Sequence, residues 1–393
     1  MEKMIYMDNA ATTRVLPEVL EAMLPYYRED FYNPSSAYGK AGEVAAAVSK
    51  AKETIARVIN CKDEEIFFTA GGSESDNWAI KGVADSLKKK GNHIITTKIE
   101  HHAVLHTCEY LEKRGYDVTY LPVDEKGCVD LRELEKAIRP ETILISVMFA
   151  NNEIGTLQPV EEIGRIAHSH GILFHTDAVQ AFGHVQIDVE KMNIDMLSAS
   201  AHKINGPKGV GFLYIRKGVR FSNLIHGGAQ EEGRRAGTVN APGIAGFGRA
   251  AEIALSRMEE RAGHESALRD RLIKRVLEEI PHTLLNGDPE KRLSNNASFC
   301  FRFIEGESLL IMLDQKGVMG SSGSACTSGS LDPSHVLLAI GRPHEIAHGS
   351  LRLTISEDTT AEDIDYTVDV LKEIIDRLRS MSPLYEDFVK KNG

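Results

Sequence analysis

The chain has 393 residues, 42% hydrophobic and 26% charged, with a formal net charge of -11. That length favours two domains with separate cores, and the acidic balance argues against direct nucleic-acid binding or a membrane-surface role, because phosphate tracking needs a basic field. No run reaches the roughly 18 apolar residues of a membrane span, and the opening "MEKMIYMDNAATT" lacks the apolar core of a secretory signal.

The five cysteines, Cys61, Cys108, Cys128, Cys300 and Cys326, are scattered without a CxxC pair. This suits reduced thiols in a cytoplasmic protein better than a disulfide framework or a zinc finger.

Val44, Val48, Ala51, Ile55 and Val58 recur at helical spacing and mark an amphipathic helix. From residue 64 to 215, seven β-rich runs follow: "EEIFFT", "HIITT", "DVTYLPV", "TILISVMFA", "GILFHTDA", "MLSAS" and "VGFLYI". Their alternation with helical patterns predicts an α/β fold with a mainly parallel seven-stranded sheet covered on both faces. Beyond Ala241 one long helical pattern runs to Ile280 and is expected to carry the chain between domains. Strand-like "NASFCFRF" and "SLRLTI" come next, then a terminal helix with Ile364, Val368, Leu371, Ile375 and Leu378 on one face. Thr360 and Asp363 give that helix a capping-box start. The expected division is a large domain over 15–255, and a smaller α+β domain from 1–14 and 256–393 that carries a cysteine loop at about 320–335.

In open parallel sheets ligands bind beyond the carboxyl ends of the strands, and those ends are rich in functional side chains here. After "EEIFFT" comes "AGGSESDNW", where Ser73 can cap a helix whose amides attract phosphate, with Asp76 three residues on; an ordinary capped turn reads the same way. After "HIITT" come His101 and His102, too divergent for a chelate but able to stack on a flat ring. Asn152 follows "TILISVMFA". Asp177 ends an apolar run, where a carboxylate needs a positive partner, and Ser200, His202 and Lys203 precede a glycine-rich turn. A phosphate cradle, a stacking ring, a carboxylate and an amine at neighbouring strand ends meet the needs of pyridoxal phosphate.

The segments "YMDNAATT", "FTAGGSESDN", "EHHAV", "NNEIG", "HTDAVQ", "SAHKINGPKGVG", "GTVNAPGIAG" and "SSGSACTSGSLDPSHVLLAIG" together resemble the cysteine desulfurases of the NifS and IscS type, in order and along nearly the whole chain. The resemblance implies a fold-type I pyridoxal-phosphate transferase, a homodimer, and conversion of L-cysteine to L-alanine with the sulfur left as a persulfide. It makes Lys203 the Schiff-base lysine, Asp177 the partner of the ring nitrogen and His101 the stacked, proton-handling ring. Asn152 and Gln180 lie near the ring hydroxyl and substrate. Gly72, Ser73, Ser200 and His202 form the phosphate set, Thr238 is a phosphate contact from the other subunit, and Arg352 grips the substrate carboxylate. Cys326 accepts the sulfur and hands it to acceptors such as an iron–sulfur scaffold. No intrinsic metal is implied, and Cys326 would meet a cluster only transiently on such a partner.

The chain stops at "SPLYEDFVKKNG", without the longer tail that some members present to a scaffold, so docking through a tail is left open. The small-residue setting of Cys326 reads as a swinging arm, expected to be poorly ordered at rest. Rival readings are a selenocysteine lyase or aminotransferase of the same fold, and a sulfur-carrier or assembly protein that has lost catalysis.

Overall fold

The computed structural model describes residues 4–322 and 333–392. A two-residue strand, β1 (Ile5–Tyr6), precedes the seven strands of the main sheet. These are β2 (Ile66–Thr69), β3 (His93–Thr97), β4 (Asp117–Leu121), β5 (Thr142–Ser146), β6 (Leu173–Asp177), β7 (Met196–Ser200) and β8 (Gly211–Ile215). Their spatial order is β2-β8-β7-β6-β5-β3-β4.

All neighbours pair in parallel except β8, which runs antiparallel to both β2 and β7. The reversal follows from chain length. Only a single 3-10 turn, Ala201–Lys203, and a short loop separate β7 from β8, too little for a crossover helix.

Alternation along the strands sorts the two faces. Ile66, Phe68, Leu197, Ala199, Phe212 and Tyr214 enter one core, together with the helices Gly39–Ile59 and Ala241–Ser256. Phe67, Met196, Leu213 and Ile215 enter the other, against Trp78, Ile80 and Val83 of the helix Gly72–Leu87. Burial on both faces explains the nearly continuous apolar runs. Edge strand β4 alone keeps polar, half-exposed positions.

A second region is built on β9 (Thr283–Leu285), β10 (Asn296–Phe301) and β12 (Ser350–Thr354), an antiparallel sheet, while β11 (Val318–Met319) pairs with β1. Its core joins Ile5 and Met7 from the chain start with Leu272, Val276, Phe299, Leu351 and Val368. Each such side chain, fully buried, contributes about 1.5–3 kcal/mol.

The capping box at Thr360 forms: its hydroxyl accepts from the Asp363 amide, and the Asp363 carboxylate accepts from the Thr360 amide. Two expectations need correction. The long helix breaks at Arg257 (φ -111°, ψ 6°), because its two halves serve different cores. Arg257 is held at the break by Glu18 and Glu357, at 3.7 and 3.5 Å. The helix Ala361–Ser380 is not terminal either. A further helix, Pro383–Asn392, folds back so that Phe388 packs on Phe303 with ring centroids 4.9 Å apart.

Candidate active site

The carboxyl ends of β2, β3, β5, β6 and β7 open into a cavity of about 280 Å³ where the two regions meet. Gly72, Ser73 and Asp76 enter from the first helix after β2, and His101 from the turn after β3. Asn152 follows β5, Asp177 and Gln180 close β6, and Ser200, His202 and Lys203 leave β7. Arg352 reaches in from β12, and Ala10 and Ala11 from the segment after β1. A larger cavity, about 480 Å³, lies around Phe303, Ile346 and Leu384. It gathers none of these groups.

The end of the cavity at the start of the helix Gly72–Leu87 is made by backbone. Gly71, at φ +152°, is the N-cap of the helix Gly72–Leu87, in a conformation that favours glycine. A Cβ on Gly72 would stand 2.5 Å from Val179 Cγ2. The glycine pair therefore lets the first helical amides, which have no intrahelical acceptor, face the cavity. Ser73 was expected as the cap but sits inside the first turn, with its side chain in no capping bond. A shallower cavity shared by Gly72, Ser73, Ser200 and His202 adjoins this end.

Lys203 donates to the carbonyls of Ala10 and Ala11. This fixes the amine at the cavity wall through the "DNAAT" segment, whose role the sequence left unassigned. His101 caps its own helix, with Nδ1 accepting from the Ala103 amide at 3.1 Å. Burial, with Lys203 next, pulls its pKa down to about 4. A neutral ring with Nδ1 accepting carries its proton on Nε2, so His101 begins as a donor. Burial, followed by Lys203, likewise holds His202 at about 4.

Arg352 is buried, with Nη1 on the Asn152 carbonyl at 3.0 Å and Nη2 on Asp8 Oδ1 at 2.8 Å. Among the described residues its Nε has no acceptor. A guanidinium with an open, water-excluded donor is ready for a carboxylate. The Arg352 backbone exchanges hydrogen bonds in both directions with Ser321, five positions before Cys326. Gln180 donates to Ala10 at 3.0 Å.

The carboxylate of Asp177 accepts from the Val179 amide at 2.9 Å, and the charge on Lys203 lowers its pKa against the larger rise from burial. The sequence called for a cation beside it. The structure adds a second carboxyl, Asp76, with a carboxylate oxygen within 4.8 Å of one of Asp177 and of a ring nitrogen of His101. Asp76 went unrecognised because "SESD" reads as a capping sequence. His175 and Ser198 also escaped notice, although His175 stands two residues before Asp177 and so on the same face of β6.

Thr238 is exposed and lines neither cavity in this single chain. Cys326 and most of its loop, with the expected disorder there, lie outside the described residues. Of the other thiols, Cys108 and Cys300 are buried and Cys61 and Cys128 partly so. Burial pushes Cys108 up to about 12 and raises the other three as well, which leaves them weak nucleophiles.

The family model described as aminotransferase class-V matches residues 5–367. A cysteine desulfurase IscS of Clostridium botulinum (strain Hall) is 59% identical over 392 residues, covering 99% of both chains. One of Methanosarcina thermophila is 58% identical, covering 97% of this chain and 94% of its own. Among solved structures, a NifS-like protein superposes with a TM-score of 0.90 at 43% identity, covering 96% of this chain and all of its own. A structure described as SspA in complex with cysteine gives 0.81 at 39%, covering 91% of this chain and all of its own.

Proposed function

The chain belongs to the class-V aminotransferase family and, within it, to the cysteine desulfurases; from that premise we propose how its residues convert L-cysteine to L-alanine. The carrying observation is the convergence of Lys203, Asp177 and a glycine-led helix N-terminus in one cavity, with the open guanidinium of Arg352 across from them.

The residues present fit pyridoxal phosphate. Gly72 keeps the helix amides clear for a phosphate, and Asp177 is a buried carboxylate of the kind a ring nitrogen cation neutralises. When bound, the cofactor supplies an aldehyde for the substrate amine and an electron sink for the Cα carbanion. Gly72, Ser73, Ser200 and His202 hold its phosphate. With the cofactor bound, Asp177 would keep its ring nitrogen protonated, His101 would cover the ring, and Gln180 and Asn152 would serve the ring hydroxyl and the substrate.

Arg352 binds the substrate carboxylate through its free donors, which orients Cα toward Lys203. Lys203 anchors the cofactor and then moves the Cα proton. The Nε2 proton of His101 is available to the departing product. Cys326 takes the sulfur: its S–H becomes S–S–H as the substrate C–S bond breaks, and the hydrogen it gives up completes alanine. Atoms balance without an outside oxidant.

Several wider features belong to the same reading. The partner protomer of a homodimer supplies Thr238, and Tyr27, Phe31 and Tyr38, exposed by 61%, 67% and 53%, suit a subunit contact. The persulfide goes to acceptor proteins such as an iron–sulfur scaffold, and the setting is cytoplasmic. Among the described residues no helix is long and apolar enough to cross a membrane. Residues 15–255 act as the cofactor domain, while 1–14 and 256–393 form the smaller one, a division supported by the separate cores.

The test is to supply the reconstituted enzyme with L-cysteine and quantify alanine and transferable sulfur. Equal amounts of the two are expected. Amino transfer to a keto acid without sulfur release would identify an aminotransferase instead.

A further inference from the structure

Asp76 stands in the second turn of its helix, 1% exposed, yet it lines the cavity. It faces the sheet through a polar layer that alternation builds. Ser146 on β5 is paired with His175 on β6, and Ser198 on β7 with Asp177. These four side chains share the face toward the Gly72–Leu87 helix. His175 bonds Ser146 Oγ at 2.9 Å and Ser198 Oγ at 3.0 Å, and lies 3.6 Å from Asp76 Oδ1. Among the described residues Asp76 Oδ1 has no hydrogen-bond partner.

Two carboxylates this close in a water-excluded site do not both ionise, because repulsion adds to the desolvation of each. Their surroundings decide which keeps the charge. Asp177 has the Val179 amide and the nearby Lys203 to favour its anion. Burial opposes ionisation of Asp76 most, Asp177 adds to it, the Ser198 hydroxyl offsets them only in part, and Glu100 adds repulsion only at a pH where it is itself ionised. His175 is held neutral by burial and brings no positive charge.

We propose that Asp76 and Asp177 form a carboxyl pair that carries one negative charge on the wall of this cavity, with Asp76 the protonated member and the reserve counter-ion. The proposal rests on the reading of this cavity as the pyridoxal-phosphate site. Asp76 is a positioning residue in the normal state, acting through Asp177. If Asp177 is made neutral, burial still disfavours the Asp76 anion but the repulsion that added to it disappears, and the ring-nitrogen cation is left without its counter-ion. Asp76 then ionises and takes over part of the electrostatic task from the same cavity wall.

The pair predicts non-additive cofactor affinity. Apoenzyme is titrated with pyridoxal phosphate, following the visible absorption band, for wild type, Asp76→Asn, Asp177→Asn and the double variant. Asp76→Asn, an uncharged near-isostere, is expected to weaken binding by about threefold or less, and Asp177→Asn by about tenfold. The double variant should lose at least about tenfold more than the product of the two single losses, within the range of coupling between contacting residues. Multiplicative losses, or a larger loss from Asp76→Asn than from Asp177→Asn, would overturn the pair while leaving the cofactor site standing. Failure of the wild type to bind pyridoxal phosphate would overturn both.

A measurement on wild type needs no substitution. Holoenzyme labelled with [¹³C]aspartate should show an infrared band of a protonated, buried aspartic carboxyl at neutral pH. Its absence would refute the shared proton even if the variants did not fold.

Discussion

The two sides of the cavity are built differently. The sheet side presents Asp177, Ser200 and Lys203 from the ends of strands buried on both faces, and backs Asp177 with the closed Ser146, His175 and Ser198 layer. Among the described residues the opposite side presents a single charged group to the cavity, Arg352, steadied by Asp8 and by the Asn152 carbonyl, on a strand that also bridges Ser321 at the stem of the cysteine loop. A fixed polar floor suits a resident cofactor. An arginine with an open donor, tied to the loop stem, suits a ligand that comes and goes.

This contrast can be broken from either side, and the largest effect should come from the floor. In the proposed mechanism Lys203→Ala removes the group that moves the Cα proton, and it should lower kcat by about 10³-fold or more, within the range for a positioned acid–base group. Single-turnover alanine formation would check it, and a loss below tenfold would move the base elsewhere.

On the opposite side, Arg352→Lys keeps the charge but loses the planar fork. It should reduce kcat/KM for L-cysteine by about 10- to 100-fold, the worth of one to two charge-assisted hydrogen bonds, mostly through KM. Cofactor affinity should stay close to wild type. An equal loss of cofactor affinity would erase the distinction between the two sides.

The smallest expected effect concerns stability at the floor's margin. Glu100 is fully buried, and burial raises its pKa from 4.5 to about 8, against hydrogen bonds from Met148 and Thr97. Its folded pKa is above its unfolded one, so its contribution is complete below 4.5 and is lost as pH rises through about 8. Melting temperature should therefore fall between pH 6 and pH 9, and Glu100→Gln should flatten that slope. An unchanged slope would mean that Glu100 is not the group that titrates.

The floor was more legible in the sequence than its surroundings. All seven sheet strands could be read, six of them because double-sided burial writes them as largely apolar runs and β4 from its β-branched and aromatic residues, and Asp177 and Lys203 stood out as charges at the ends of such runs. What escaped depends on contacts distant in sequence. Nothing local marks the break at Arg257, since Ala, Glu and Arg continue the helical pattern through it; the break comes from two cores pulling two helices apart. The helix Pro383–Asn392 is pinned by Phe303, far upstream. Asp76 is visible as a residue but not as a wall of the cavity, because its meaning comes from β6 and β7 beneath it. The ion pair between Asp8 and Arg352 likewise joins opposite ends of the chain.

The central claim is that Cys326 receives sulfur released in a cavity run by Lys203 and Asp177. Wild type and Cys326→Ser, both loaded with pyridoxal phosphate, would be given L-cysteine while the cofactor spectrum, alanine and protein-bound persulfide are followed. Both should bind the substrate and change the spectrum, with only wild type accumulating persulfide and turning over to alanine. Undiminished alanine and sulfide from Cys326→Ser would contradict the claim.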